Sequence, residues 1–302
     1  MSFTRRELII YYQGRKDTNF NDRNVHMVKC GFCNNNNFIP VFHSGRFIIN
    51  KCTCGTEYPN PRLTDKAILE LYNTDLASGE SDYLEVERDN KTDFERRLVL
   101  IEKYLPIGTL LDVGTNIGSL MEVAIKRGWV CSGVEVNKQA IKIAKAKGLE
   151  VSDKSFLDRK ENFDCIVMND FIEHIDNPRK YLGKAYSLLS KGGVIYIATP
   201  RADSFMSKFS KGKWLHRKPE QHLYIYTKKN MELMMDECGF KVVCSESIGR
   251  IRSIGTIIKK LETYSKGISN FLNGVLPKAI KDFPIKINPL DEMHLVGVKK
   301  WR

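Results

Sequence analysis

Residues 110–120 read Leu110-Leu-Asp-Val-Gly-Thr-Asn-Ile-Gly-Ser-Leu120. This is an apolar strand ending in Asp112 and Val113, a turn through Gly114, and a helix entered at Gly118. A glycine at the turn lets a ligand approach the backbone, and the helix N-terminus that follows presents a positive dipole end. On the next apolar stretch, Trp129–Glu135, an acid stands at the C-terminal end. A carboxylate there, beside the glycine loop, can accept from both hydroxyls of a ribose. The glycines alone would fit tight packing of helix on strand equally well. With the spaced acid they point to a nucleoside ligand.

The surrounding text alternates strands and helices. Strands are expected at Thr109–Val113, Leu149–Ser152, Phe163–Met168 and Val194–Thr199, with helices at Gly118–Arg127, Lys138–Lys147 and Arg179–Leu189. Strands apolar along their whole length, each followed by a helix, indicate a parallel sheet covered on both faces. The end differs: a helix at Lys229–Cys238, a strand at Phe240–Glu246, a long insertion over residues 249–291, and a last strand at Met293–Val298. Upstream, helices are expected at Thr64–Tyr72 and Asp93–Leu105, the second stopped by Pro106. A strand is expected at Phe47–Asn50, a loop tip at Asn34–Asn37, and an irregular arm over residues 1–29.

Two nucleoside ligands suit such a loop, a dinucleotide or S-adenosylmethionine. A dinucleotide site wants Gly-x-Gly-x-x-Gly, whereas Gly114-Thr-Asn116-Ile-Gly118 keeps the outer glycines of Gly-x-Gly-x-Gly. That string resembles motif I of the class I methyltransferases. Phe163-Asp-Cys-Ile-Val-Met-Asn-Asp-Phe-Ile-Glu-His-Ile-Asp-Asn-Pro178 resembles their fourth-strand segment. Leu189-Ser-Lys-Gly-Gly-Val-Ile-Tyr-Ile-Ala-Thr-Pro200 resembles their Gly-Gly turn and fifth strand. His222-Leu-Tyr-Ile-Tyr-Thr227, followed by Cys238-Gly-Phe240, resembles their late His-aromatic-Thr segment. Cys30-Gly-Phe-Cys33 and Cys52-Thr-Cys-Gly-Thr-Glu-Tyr-Pro-Asn-Pro-Arg62, followed by Leu71-Tyr72, resemble a zinc-ribbon leader found on a sugar- and polysaccharide-modifying subgroup.

The resemblance implies an α/β, Rossmann-like fold: a doubly wound, mostly parallel seven-stranded sheet whose last strand is antiparallel. The implied organisation is an arm over 1–29, a zinc-ribbon-like segment over 30–61, a helical linker or lid over 62–105, and a methyltransferase domain over 106–302. In the implied S-adenosylmethionine site, Asp112 and Gly114 meet the methionine amine, and Thr115, Asn116 and Gly118 form the loop. Glu135 holds the ribose, Val136 packs on adenine, Asp153 reaches the adenine amine, and Asn169 lies beside the methyl donor. Candidate bases are His222, His174 and Asp170; His216 reads as a solvated loop residue. Two departures stand out. Asn116 replaces the loop's middle glycine, and Cys52-x-Cys54 is one residue shorter than the usual knuckle. Cys30, Cys33, Cys52 and Cys54 are the expected zinc ligands, with His43 as a substitute should the short knuckle fail.

Composition sets the remaining bounds. Of 302 residues, 42% are hydrophobic and 28% charged, an ordinary globular balance that excludes disordered, collagen-like and disulfide-scaffold classes. The net charge is +12, and from Arg201 onward 20 Lys/Arg face 10 Asp/Glu, so the last third carries +10 of it. Such a bias suggests an anionic partner. A sugar-linked small molecule leads, its diphosphate meeting the loop Lys208–Lys218. RNA is the alternative, although residues 30–61 hold only Arg46 and Lys51 as cations. A non-catalytic zinc-stabilised binding protein is the third reading, disfavoured by the intact loop and acid. Apolar residues recur at helical spacing through residues 251–276 among lysines, a pattern that suits a lid docked on its own core or a helix on a membrane surface. No apolar run approaches the ~20 residues of a membrane span, and Leu8–Tyr12 is too short for a secretory segment. The expected location is therefore cytoplasmic, with the eight cysteines as thiols or metal ligands.

Overall fold

The structure, a computed structural model, describes residues 25–44, 47–68 and 80–301. Most of the expected arm and the Leu71-Tyr72 part of the leader lie outside them. The arm's end is not irregular: β1 (Val25–His26) pairs antiparallel with β5 (Arg62–Leu63). Between them β2 (Phe38–Ser44), β3 (Phe47–Cys52) and β4 (Glu57–Pro59) form an antiparallel three-stranded sheet.

The main sheet has seven strands: β6 (Thr109–Val113), β7 (Val130–Val134), β8 (Val151–Ser152), β9 (Phe163–Asn169), β10 (Leu189–Pro200), β11 (Phe240–Glu246) and β14 (Glu292–Lys299). Their order is β11-β14-β10-β9-β6-β7-β8. β6 through β10 pair in parallel, while β14 runs antiparallel between β10 and β11. Successive residues point to opposite faces, and both faces are buried. Leu111, Ile166 and Ile195 belong to one core, and Leu110, Val167 and Tyr196 to the other. Two-sided burial is why these strands read as unbroken apolar runs. The chain reverses direction in the sheet between β6 and β9, so a crevice opens at their C-terminal ends.

Other elements depart from the expected bounds. The helix expected from Asp93 begins at Glu80 and ends at Ile101, and helical backbone over residues 65–68 marks the start of the Thr64 helix. The insertion folds as a two-stranded ribbon, β12 (Arg250–Ser253) with β13 (Pro284–Ile287), carrying the helices Ile254–Leu261, Lys266–Val275 and Lys278–Lys281. Its apolar stripe docks only in part. Ile258 is buried, but Ile268, Phe271 and Val275 are 57%, 67% and 56% exposed. No helix among the described residues is long and apolar enough to cross a membrane.

The cysteine segment is fused to the larger core. Cys30, Phe47, Cys52, Tyr58 and Leu63 share one apolar cluster with Ile166 and Ile195. Glu57 exchanges two backbone hydrogen bonds with Ile225, at 2.9 and 2.8 Å.

Candidate active site

β6 delivers Asp112 to the crevice, buried, where it accepts a 2.7 Å hydrogen bond from the Thr115 hydroxyl. Burial, with Glu135 adding repulsion, pushes its carboxyl up to about 7 against the opposing effect of that hydrogen bond. Gly114 and Gly118 have φ of 75° and 81°. A Cβ on Gly114 would lie 2.7 Å from the Phe171 ring, and one on Gly118 would lie 2.1 Å from Leu149. Gly118 therefore serves helix packing and lies off the cavity walls. Asn116 sits at φ 53°, in the left-handed region that asparagine tolerates better than most side chains. That explains how it replaces a glycine without reshaping the loop.

Glu135 follows β7 and folds its carboxylate over the loop. It accepts from the backbone N–H of Asn116 at 2.9 Å, Val136 at 2.8 Å and Asn137 at 2.9 Å. It lines a cavity of about 730 Å³ together with Val136, Asp153, Phe156, Phe171 and Tyr181. The rings of Phe156 and Tyr181 stack at 5.8 Å. The cradle fits S-adenosylmethionine: a glycine whose Cβ would strike Phe171, an acid at the second strand end, and apolar and aromatic walls.

A second cavity, of about 580 Å³, adjoins the first and is lined by Asp112, Thr115, Asn169, Asp170, Glu173 and His222, among others. Gly114, Asn116, Asp170 and His174 line both. Asp170 stands where they meet, at φ 49°. Its side chain is 47% exposed to the open cavity. Depth in the cleft and the Glu292 carboxylate raise its pKa, opposed by Arg97 and Arg250. Arg97 lies 3.9 Å from Asp170 and 3.6 Å from Glu292, and donates to the Asn169 amide oxygen. Glu292, buried at the start of β14, also binds Arg250 at 3.0 Å. That cluster of opposite charges holds Glu292 well below the ordinary carboxylate range despite burial. Arg97, Arg250, Arg252 and Glu292 had no motif to announce them. Asp93 and Arg97 lie four apart on a helix that also carries Lys91, Glu95 and Arg96, so their charge alone did not set them apart.

The histidines converge. His174 and His222 rings meet edge to face at 4.8 Å. His216 is not the solvated residue the sequence suggested: its side chain is 15% exposed, 3.6 Å from Asp291 and 3.1 Å from the Arg250 guanidinium. Burial pushes His174 and His216 down to about 4, and His222 well below its ordinary value. The expected basic loop is corrected as well. Arg217 is buried and paired to Glu57 at 2.8 Å, with its guanidinium 3.9 Å from the Phe42 ring centroid. It ties the loop to the cysteine segment, and among the described cations of the loop only Lys218 lines the cavities.

The four cysteines cluster despite the short knuckle. Cys30 and Cys54 Sγ are 3.6 Å apart, Cys33 and Cys52 Sγ 3.4 Å, and all four lie within 4.8 Å of one another. Tetrahedral zinc with ~2.3 Å bonds sets sulfurs about 3.8 Å apart, so the set fits. A 2.8 Å hydrogen bond from Gly55 N–H to Cys52 O closes the turn that brings Cys54 inward. His43 is exposed on β2 and is not part of the set.

The sequence profile of the family described as a methyltransferase domain matches residues 83–245, more than half of the chain. An uncharacterized protein of Methanocaldococcus jannaschii is 27% identical over 183 residues, 59% of this chain and 82% of that protein. The ubiquinone biosynthesis O-methyltransferase of Paramagnetospirillum magneticum is 30% identical over 99 residues, 30% of this chain and 40% of that enzyme. Among solved structures, the 1,6-didemethyltoxoflavin-N1-methyltransferase of Burkholderia thailandensis superposes with a TM-score of 0.52 at 13% identity, covering 87% of this chain and 99% of the other. A SAM-dependent methyltransferase of Thermotoga maritima gives 0.50 at 18% identity, covering 77% and 100%. At these identities the structural likenesses show the fold alone.

Proposed function

The chain belongs to the methyltransferase-domain family, and from that premise we propose that it methylates a hydroxyl of a small, anionic, sugar-linked acceptor held in the cavity of about 580 Å³. The observation that carries this reading is the wall of that cavity, which Arg97, Lys218, Arg250 and Arg252 line together with Asp170. Its volume suits a small polar molecule, and Lys218 on its wall suits a phosphate or carboxylate, while Arg97 and Arg250 are held by Glu292 and Arg252 by Asp93.

S-adenosylmethionine, when bound, supplies the electrophilic methyl group. The chain's own residues orient and deprotonate. Glu135 accepts from the ribose hydroxyls, and Val136 and the aromatic wall cover the adenine; the methionine end reaches into the edge of the second cavity, where ionised Asp112 faces its amine. Asp170, at the junction of the cavities, takes the acceptor's hydroxyl proton; its raised pKa suits a base working near neutrality. Arg97 and Asn169 hold that carboxylate in place. A panel of nucleotide sugars and sugar phosphates, scored by mass spectrometry for gain of one methyl group, tests the reading. Methylation of RNA with no small-molecule product would overturn it.

Zinc at Cys30, Cys33, Cys52 and Cys54 belongs to the same proposal, as a structural ion in a cytoplasmic enzyme. Purified protein should carry zinc that Cys30→Ser or Cys54→Ser releases. Because this segment shares its core with the sheet, release should also lower the melting temperature of the whole domain. Freshly prepared protein without metal would return the four thiols to packing roles.

A further inference from the structure

Glu173 and His174 follow β9 in the 3-10 turn Ile172–His174, and His222 opens the segment that crosses above it. Two backbone hydrogen bonds fix the crossing: Leu223 and Tyr224 N–H both donate to the Glu173 carbonyl, at 2.7 and 3.2 Å. One ligand atom from each of Glu173, His174 and His222 lies within 4.8 Å of the others. The Glu173 side chain is fully buried. Its Oε2 accepts from the Thr199 hydroxyl at 2.9 Å, while Oε1 has no hydrogen-bond partner among the described residues. A buried carboxylate oxygen without a partner is uncommon in folded proteins and asks for an explanation.

The ring tautomers supply the second observation. His174 Nδ1 stands 3.0 Å from the Gln221 carbonyl, and His222 Nδ1 2.7 Å from the His216 carbonyl. A carbonyl only accepts, so both Nδ1 atoms carry the proton and both Nε2 atoms carry the lone pair. An Nδ1–H held by a backbone carbonyl is the outer support that orients metal-binding histidines. Thr199 supports the carboxylate in the same way.

We propose that Glu173, His174 and His222 form a divalent transition-metal site, separate from the four cysteines, opening into the acceptor-side cavity. Two imidazoles and one carboxylate suit zinc, manganese or iron(II), with further coordination positions left to water or to an acceptor oxygen. Bonds of ~2.0–2.2 Å place tetrahedral ligands roughly 3.4 Å apart, a contraction that side-chain rotation can supply. The neighbouring guanidiniums do not forbid a cation, because Arg97 and Arg250 are both engaged by Glu292. The proposal does not depend on which acceptor is methylated.

Its test uses the full-length protein, loaded with excess zinc, desalted and analysed for metal per chain. His222→Ala should hold one equivalent less than wild type, whatever the cysteine cluster retains. Titration with manganese, which disfavours thiolates, followed by electron paramagnetic resonance should give one site in wild type and at least tenfold weaker binding in His222→Ala. Glu173→Gln preserves volume and the Thr199 contact and should weaken manganese by a similar factor, which guards against a misfolded histidine variant. Thr199→Val should weaken it less, because it removes only the outer support. Unchanged S-adenosylmethionine affinity in His222→Ala separates this site from the cofactor cavity, which His222 does not line. Equal zinc content in wild type and His222→Ala, or manganese binding unaffected by both substitutions, would overturn the proposal.

Discussion

The two cavities meet at Asp170, yet they are assembled in opposite ways. The cofactor side is built mostly from short runs at strand ends, Gly114 with Asn116, Glu135 to Asn137 and Asp153 to Phe156, and backbone N–H groups of Asn116, Val136 and Asn137 hold its carboxylate, Glu135. The acceptor side is built from side-chain charges on five separated segments, around Arg97, Asp170, Lys218, Arg250 and Glu292. A backbone-led site survives local sequence change, as Asn116 in a glycine's place illustrates. A charge-led site depends on every partner, because a buried ion left alone is costly.

The largest effect should therefore come from Glu292. Replacing it with Ala leaves Arg97 and Arg250 inside the protein without their shared carboxylate, and stability should fall by about 3–5 kcal/mol. Urea denaturation checks this. A loss below about 1 kcal/mol would mean that water replaces the carboxylate and that the two cavities are alike in tolerance.

Asp112→Asn comes next and works in the other direction on stability. Its folded pKa of about 7 lies above the unfolded value of ~3.9. The native state thus keeps a proton that the unfolded chain gives up, and cofactor-free wild type should lose stability as pH rises from ~4 to ~7. Asp112→Asn should remove that loss while weakening S-adenosylmethionine at pH 8 by tenfold or more. In wild type, affinity should rise with pH through about 7, with one proton released on binding at pH 6. Calorimetry in buffers of different ionisation enthalpy measures it; no proton release would remove Asp112 from the amine site.

Glu135→Ala should weaken S-adenosylmethionine by about tenfold or more, one charge-assisted hydrogen bond being worth at least that, with little change in stability, since its three partners are backbone N–H groups near solvent. A cofactor affinity unchanged by this substitution would mean the ribose is held elsewhere. The contrast with Glu292, equally an acid at a strand end, is the sharpest form of the comparison.

Legibility followed the same divide. The loop from Asp112 to Gly118, the acid at Glu135 and the alternating strands could be read because each is a local pattern with a local cause. The antiparallel β14 was legible only through resemblance, since its place between β10 and β11 is a long-range pairing. Glu173 was passed over beside His174 because burial, which makes its carboxyl unusual, is not written in a single sequence. Arg217 was read with the Lys208–Lys218 loop as a cation for the acceptor's diphosphate for the same reason: its partner Glu57 is 160 residues away. The aromatic Trp214 three residues before it, 5.0 Å from the guanidinium, was the available hint.

That correction changes what the basic last third is expected to do. Among the described loop cations, Lys218 alone lines the cavities, while Arg217 is held by Glu57. Lys218→Ala should raise the acceptor KM several-fold with little change in kcat, because a lysine positions a phosphate as a point charge and takes no part in the proton transfer. Lys208→Ala and Lys213→Ala should leave both constants within about twofold. Lys218 borders the cofactor cavity too, so S-adenosylmethionine affinity must be measured alongside; a fall there equal to the rise in KM would move Lys218 to the cofactor side. If the acceptor were a nucleic acid, each neutralised lysine would instead cost affinity and reduce the salt slope by about one. Equal effects from Lys208, Lys213 and Lys218, growing as salt falls, would therefore replace the enclosed small-molecule site with an extended surface.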